Sequence, residues 1–319
     1  MILVTGGTGF IGSHLLDKLS ALGEPARCLL RRKARPRCLP AGIEAVYGDL
    51  TSGEGVEQAI NGADTVIHLA GVTKALATRD YYAGNVRATE TLLRALAGRA
   101  VRLVHVSTLA AIGPSRDGTP VDEDSPPRPL THYGKSKLEA ELTVRALAPD
   151  AVIVRPPAVY GPRDTDIFQL LRSISKGWVF EIAGGERWFS AIYVGDLVEG
   201  LLAARRGVPG RAYFLAHSQP VSWSEFGAAA TRIMARRPHV VRVPPLVAYA
   251  VGLGAEVWSH ITRRPGIISR EKVAEARCRW WTCDTRRAAA ELGFEARTPL
   301  AAGLAQTLAW YKEAAWLKY

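Results

Sequence analysis

Tyr133 and Lys137 stand four residues apart in Tyr133-Gly134-Lys135-Ser136-Lys137. On a helix that spacing puts both side chains on one face, one turn apart. A lysine cation beside a phenol favours phenolate and lowers the tyrosine pKa. The pairing suits Tyr133 to general acid–base work on a hydroxyl or a carbonyl. The pattern also arises by chance, so its weight comes from order along the chain. It follows the apolar run Val101–Val106, which ends in Ser107-Thr108. A hydroxyl at the carboxyl end of a parallel strand faces the crevice where ligands bind. Thr108 can hydrogen-bond a reacting oxygen and orient it toward Tyr133, with Ser107 as the alternative hydroxyl. Taken alone, either one would read as a turn residue or a helix cap.

A second constellation opens the chain. Gly6-Gly7-Thr8-Gly9-Phe10-Ile11-Gly12 lies between an apolar run and a segment with Ile11, Leu15, Leu16 and Leu19 at helical spacing. Glycines there let backbone approach a pyrophosphate closely, and the helix start offers amides and a positive dipole end. Gly6, Gly9, Phe10, Ile11 and Gly12 are therefore candidate dinucleotide-binding residues, and a purely structural glycine turn is the bland alternative. The next strand ends in Leu30-Arg31-Arg32-Lys33, where an acidic residue would bind the ribose 2′-hydroxyl of NAD. Arginine at that place binds a 2′-phosphate instead, so Arg31 and Arg32 favour NADP over NAD. A solvated basic loop is the competing reading. Asp49 and Leu50, after the third strand, are placed to meet the adenine.

The elements that must position these groups alternate regularly. Short apolar strands are expected at 1–5, 26–30, 43–47, 64–69, 101–106 and 151–155. Helices are expected at about 11–22, 53–60, 81–97 and 132–147. The alternation predicts a doubly wound α/β fold, a parallel (Rossmann) sheet covered on both faces. The division expected is a dinucleotide-binding domain over 1–158, completed by about 191–217. A smaller, mostly helical substrate-binding lid takes 159–190 and 218–319.

In this order, these features resemble the extended short-chain dehydrogenase/reductase family, which includes NAD(P)-dependent epimerases and dehydratases. Further segments carry the likeness: His68-Leu69-Ala70-Gly71, Asn85-Val86-Arg87-Ala88-Thr89, Arg155-Pro156-Pro157-Ala158-Val159-Tyr160-Gly161-Pro162 and Tyr193-Val194-Gly195-Asp196-Leu197. The resemblance implies that Thr108, Tyr133 and Lys137 form a catalytic trio, with Lys137 also on the nicotinamide ribose. It adds Leu69, Ala70, Gly71, Asn85, Pro156 and Val159 as cofactor neighbours. It implies a homodimer paired through the helices at 81–97 and 132–147.

Two departures concern the substrate. Sugar-nucleotide members commonly have Asn where this chain has Ala158, and Arg where it has Phe189. Apolar residues stand nearby: Ile167, Phe168, Trp178, Val179, Phe180 and Trp188. Ordinary lid core is the alternative account of them. The carboxyl-terminal Trp280-Trp281-Thr282-Cys283-Asp284 and Leu292-Gly293-Phe294 are similar to members acting on hydroxysteroids and other lipid alcohols. The expected activity is hydride transfer between nicotinamide and a hydroxyl or carbonyl carbon of an apolar, steroid-like or isoprenoid-like small molecule. The alternatives are an NAD-dependent sugar-nucleotide epimerase or dehydratase and a non-catalytic dinucleotide sensor.

Composition narrows the partners. The 319 residues carry a formal charge of +11, and nucleic acid, anionic lipid and a phosphate-bearing ligand all suit a basic surface. Arginines gather at 31–37 and between 232 and 287, with no nucleic-acid module motif, so no nucleic-acid partner is expected; a high-GC genome that favours Arg gives the same excess and is the first account of the second cluster. The cysteines, Cys28, Cys38, Cys278 and Cys283, lack zinc spacing. Free thiols and no metal are expected. The first residues read as a strand rather than a leader, which points to a cytoplasmic protein. The apolar stretch 244–261 is too short and too polar to span a bilayer. It reads as a substrate-domain helix, with peripheral membrane contact as the alternative.

Overall fold

The computed structural model describes residues 1–32, 39–263, 266 and 269–319. The basic run's Lys33, Arg35 and Arg37, together with Cys38 and Arg264, lie outside the described residues.

The amino-terminal half is one seven-stranded sheet. Its strands are β1 (Ile2–Thr5), β2 (Ala26–Leu30), β3 (Ile43–Tyr47), β4 (Thr65–His68), β5 (Arg102–Val106) and β6 (Val152–Arg155). The strand Ala212–Phe214 returns late in the chain to pair with β6. From that returning strand the order is β6-β5-β4-β1-β2-β3, and every pairing is parallel. All four residues of β1 and of β6 are buried, as expected where helices cover both faces. The expected doubly wound sheet is present.

Helix α1 (Phe10–Ala21) packs on one face through Leu15, Leu16 and Leu19, beside Leu197 and Leu201 of the later helix 194–204. On the other face lie α2 (Val56–Ile60), the helix Ala88–Leu96 and the helix His132–Leu147. Their Ala59, Leu92, Leu93 and Val144 meet Leu3, Val66, Leu103 and Ile153 of the sheet. Two expectations shift locally. α2 starts at Val56, because Gly55 turns at φ 71° and a Cβ there would stand 2.3 Å from the Tyr47 carbonyl oxygen. The segment 81–97 is not one regular helix. It runs as α3 (Thr78–Tyr82), a wide π turn (Ala83–Arg87) and α4 (Ala88–Leu96). Such turns interrupt helices where one side chain must be presented differently, and this one carries Asn85.

The return helix His132–Leu147, α5, is held by two buried charges. Lys137 donates to the Val106 carbonyl at 2.8 Å. Glu141 receives Arg155 of β6 through Nε at 3.0 Å and Nη2 at 2.6 Å, with both side chains almost fully buried. Arg155 also donates to the Glu123 carbonyl at 3.0 Å and lies over the Phe214 ring.

The later segments form a separate apolar cluster around Tyr160, Leu171, Phe226, Leu308 and Tyr311. It gathers strand Ala158–Tyr160 and helices α6 (Ile167–Ser175), 223–233 and 300–313. Strands Trp178–Ile182 and His239–Val243 pair beside it.

Removing one member of a fully buried bidentate ion pair strands the other charge. Glu141→Ala is expected to lower the unfolding free energy by about 3–5 kcal/mol, read by denaturant titration. A loss under about 1 kcal/mol, the scale of a surface pair, would contradict this account of how α5 is seated.

Candidate active site

The strand order reverses between β1 and β4, and the glycine turn sits there. In doubly wound sheets ligands bind in the crevice at that point. Gly6 has φ 74°, and a Cβ on it would stand 2.6 Å from the Ala70 amide nitrogen. A Cβ on Gly12 would stand 2.3 Å from the Gly6 carbonyl oxygen. These two glycines are required by the protein's own packing. Gly9 is different: its Cβ would meet only the Gly6 oxygen, at 3.2 Å. It is the N-cap of α1 and provides no side-chain cap, which leaves the first amides of Phe10 and Ile11 for a ligand. The cradle fits a dinucleotide pyrophosphate.

Leu69, Ala70 and Gly71 follow β4 on the other side of the crevice. A Cβ on Gly71 would stand 2.9 Å from Asn85 Oδ1 and 3.9 Å from Lys137 Nζ, so the loop, the π turn and α5 meet here. Asn85 is fully buried. Its Oδ1 accepts from the Val72 amide at 2.7 Å, and Nδ2 donates to the Val72 carbonyl at 3.0 Å and to Ser136 Oγ at 2.8 Å. Its polar atoms are engaged within the protein, where they brace the loop carrying Gly71. Pro156 accepts from the Leu109 amide at 2.9 Å, and Val159 pairs with Ile192.

Arg31 and Arg32 are exposed just after β2. Arg32 Nε donates to Glu54 Oε1 at 3.1 Å, and the Arg31 charge helps hold the Asp49 carboxyl low, behind its hydrogen bond from Thr51. Asp49 accepts from both the amide and the hydroxyl of Thr51, at 2.7 Å each, and Leu50 is packed in the core.

Two of the three proposed chemical residues, Thr108 and Tyr133, meet. Thr108 ends the extended stretch after β5 and accepts from the Ala110 amide at 3.2 Å. Thr131 caps α5, accepting from the Gly134 amide at 3.1 Å. A Cβ on Gly134 would stand 2.3 Å from the Ala110 carbonyl oxygen, so this glycine lets the start of α5 lie against the Thr108 turn. Tyr133 thereby faces Thr108.

The electrostatics differ from the expectation that Lys137 lowers the Tyr133 pKa. Burial raises the phenol pKa above its ordinary value. Interaction with the Thr108 hydroxyl and the charge of Lys272 offset it in part. Lys137 is itself pushed down to about 8 by burial, with the Glu141 carboxylate pulling the other way. Its ammonium is committed to the Val106 carbonyl, so in this state it supports the fold more directly than it acts on the phenol.

Helix Arg270–Arg277, α10, brings groups that the local spacing did not signal. Glu271 Oε1 accepts from the His132 amide at 3.0 Å, and Glu275 Oε1 accepts from Thr131 Oγ1 at 3.2 Å. These carboxylates hold the start of the Tyr133 helix from about 140 residues away along the chain. A cleft of about 700 Å³ runs beside Tyr133, bounded by Tyr81, Ile167, Leu170, Trp223 and Lys272. A second cavity of about 760 Å³ has Leu170 and Trp223 in common with the first and is otherwise lined by Ile174, Val179, Ile182, Ala183, Glu186 and Arg187.

The apolar set expected near the substrate divides. Ile167, Val179 and Phe180 line these spaces. Phe189 is buried and stacks on Trp223 at 4.5 Å, and Phe168 packs on Tyr311 and Trp316, so both belong to the apolar cluster of the later segments. Trp178 and Trp188 are exposed.

With the crevice, the glycine cradle and the Tyr133 cleft in place, comparison with known proteins is informative. Residues 2–216 match the NAD dependent epimerase/dehydratase family, and the chain belongs to it. It is an NAD(P)-dependent enzyme of the extended short-chain dehydrogenase/reductase type. A ceramide reductase of Caulobacter vibrioides is 30% identical over 99% of this chain and 96% of its own length. A 4-hydroxy-2-methyl-3-oxo-4-farnesyl-3,4-dihydroquinoline-1-oxide ketoreductase of Stigmatella aurantiaca is 32% identical over 94% of this chain and 93% of its own. Among solved structures, gox2253 superposes with a TM-score of 0.83 at 26% identity, covering 100% of this chain and 99% of its own.

The Lys137 shift has a pH consequence. The folded-state pKa of about 8 lies below the ordinary 10.5, so the unfolded chain binds that proton more tightly and stability rises with pH between the two values. Denaturant titrations of the ligand-free protein should show wild type gaining on Lys137→Met from about pH 8 to about pH 10. A stability difference that is flat across this window would contradict the assignment.

Proposed function

We propose that the protein is an NADP-preferring reductase or dehydrogenase that moves a hydride between nicotinamide and the carbonyl or carbinol carbon of an apolar substrate. One observation carries the reading: Tyr133, which interacts with Thr108, lines a cleft that adjoins, across Leu170 and Trp223, a second space walled by Ile174, Val179 and Ile182. The similarity to a ceramide reductase and to a farnesyl-dihydroquinoline ketoreductase supports it, as both names denote carbonyl reduction on molecules with long apolar parts. So do Ala158 and Phe189, which put no amide or guanidinium where sugar-nucleotide members carry one.

Gly6, Gly9, Phe10, Ile11 and Gly12 hold the pyrophosphate, and the segments at Leu69–Gly71, Pro156 and Val159 border the nicotinamide half. Asn85 positions the Gly71 loop. Asp49 and Leu50 border the adenine. Bound NAD(P) supplies or accepts the hydride at its nicotinamide ring. Tyr133 gives a proton to the substrate oxygen in reduction and takes it in oxidation. Thr108 donates a hydrogen bond that orients the same oxygen. Lys137 binds the nicotinamide ribose. Residues 159–190 and 218–319 serve as the substrate-binding lid on the dinucleotide-binding part, 1–158 with 191–217.

The exposed Arg31 and Arg32 carry the NADP preference. A homodimer through α4 and α5 is part of the same reading, supported by exposed Leu142 and Leu147 on α5; light scattering reads it. A cytoplasmic location is in keeping with free Cys28, Cys278 and Cys283. The second reading, a sugar-nucleotide epimerase or dehydratase, is favoured by similarity to the structure of MoeE5 with UDP-glucuronic acid and NAD, at 27% identity and a TM-score of 0.78, covering 98% of this chain and 99% of that one.

Tyr133→Phe should reduce NADPH-dependent turnover of a lipid ketone by roughly 10²–10⁴-fold, with NADPH binding retained. Activity equal to wild type would remove Tyr133 from the proton step. In fluorescence titrations, Arg31→Asp with Arg32→Asp should weaken NADPH binding at least about tenfold relative to NADH. An unchanged ratio would overturn the NADP preference.

A further inference from the structure

Among the described residues, no helix is long and apolar enough to cross a membrane. The helix Pro245–Thr262, α9, nevertheless has an unusual arrangement. Its buried residues are small: Ala248, Gly252 and Ser259. A Cβ on Gly252 would stand 3.1 Å from Val273 Cγ2 of α10 and 3.2 Å from the Arg270 amide nitrogen, so close packing on α10 uses the small stripe. The large apolar residues point away from the protein. Leu246 is 80% exposed, Ile261 70%, Trp258 66% and Val257 53%, with Val247 and Leu253 also exposed. An ordinary surface helix presents the reverse: apolar residues inward and polar ones outward. On a helical projection the outward arc holds Leu246, Val247, Leu253, Val257, Trp258 and Ile261, with only Tyr249 and His260 as polar members, both toward one edge. A contiguous apolar face of this kind marks a contact.

Charge identifies the contact. Between residues 232 and 270 the sequence carries seven arginines and one carboxylate, Glu256. That carboxylate is engaged by Arg270 at 2.6 Å. Exposed Arg242 precedes the helix and exposed Arg263 caps its end. An outward apolar face bounded by arginines, with Trp and Tyr on the helix, matches the way amphipathic helices lie in the interface of an anionic bilayer. A second copy of this chain would bring the same uncompensated arginines against these.

The other edge of α9 belongs to the active-site cleft. Tyr249, Glu256, Ser259 and His260 border the same space as Tyr133. One helix thus has its outer face on the surface and its inner edge on the cleft.

We propose that the outer face of α9 docks on an anionic lipid surface, and that apolar substrate passes from the bilayer beneath this helix to Tyr133. The passage rests on the lipid-ketone reading above; the docking does not. The test uses the whole 319-residue chain and three readouts, sedimentation, turnover and light scattering. In sedimentation, the chain should pellet with phosphatidylcholine vesicles containing phosphatidylglycerol, much less with phosphatidylcholine alone, and be released by salt. Leu246→Ser/Trp258→Ser/Ile261→Ser should weaken that binding by about tenfold or more. Its NADPH turnover of a short-chain, water-soluble ketone should stay within about twofold, while turnover of a long-chain ketone embedded in the vesicles falls with binding. Arg242→Gln/Arg263→Gln should remove the preference for anionic vesicles. Wild-type protein that ignores anionic vesicles, or a triple variant that still pellets, would overturn the docking. A triple variant that loses its oligomeric state in light scattering would also overturn it and assign the face to a second copy. Embedded-ketone turnover that does not track binding would overturn the passage. Vesicle binding with no ketone turned over by wild type would count against the reductase reading and in favour of docking independent of it.

Discussion

The seating of α5 on the sheet governs the rest of the site. One face of this helix carries Tyr133, Lys137 and Glu141 at successive four-residue steps. The two charged members are nearly fully buried, and each has a fixed partner in the sheet: the Val106 carbonyl for Lys137, the Arg155 guanidinium for Glu141. Burying these charges is costly, so the helix has few alternative positions that satisfy both. Tyr133 inherits that register. Gly134 then allows the start of the helix to meet the Thr108 turn, and Glu271 and Glu275 hold it from above. The Tyr133 side chain is therefore located by a buried ion pair two turns away and by carboxylates from the far end of the chain.

The cofactor side follows a different constraint, close backbone approach. Gly6 and Gly12 are required by neighbouring backbone within the protein, whereas Gly9 faces little but the space where phosphate would lie. The turn thus joins a folding requirement to a binding one. It also touches the β4 loop, which Asn85 ties to Ser136 of α5. The glycine turn, the loop after β4 and α5 form one connected unit.

Much of this could be read from the sequence because it is local. The β1–turn–α1 unit, the four-residue spacing of Tyr133 and Lys137, and the strand ending at Thr108 each lie within a few residues, and the family resemblance joined them. The wide turn at Asn85 could not be read, since a π turn leaves the helical apolar pattern nearly intact. Glu271 and Glu275 could not be read because only folding brings them to Thr131 and His132. The expected effect of Lys137 on Tyr133 overlooked burial, which raises the phenol pKa and occupies the lysine with a carbonyl. By its position Phe189 reads as a substrate neighbour, but its ring fills the apolar cluster of the later segments against Trp223. The stretch forming α9 reads as a substrate-domain helix with membrane contact as the alternative, because composition alone does not tell which side of a helix packs.

The central claim is that Tyr133, Thr108 and Lys137 serve net carbonyl reduction, not a hydride that leaves a sugar and returns. The most direct measurement follows the label from NADPH deuterated at the nicotinamide C4. With a long-chain ketone, the account predicts one deuterium on the new carbinol carbon and one oxidised cofactor released per turnover. Failure to label or reduce any lipid ketone, together with interconversion of UDP-sugars with no net change in the cofactor, would contradict it.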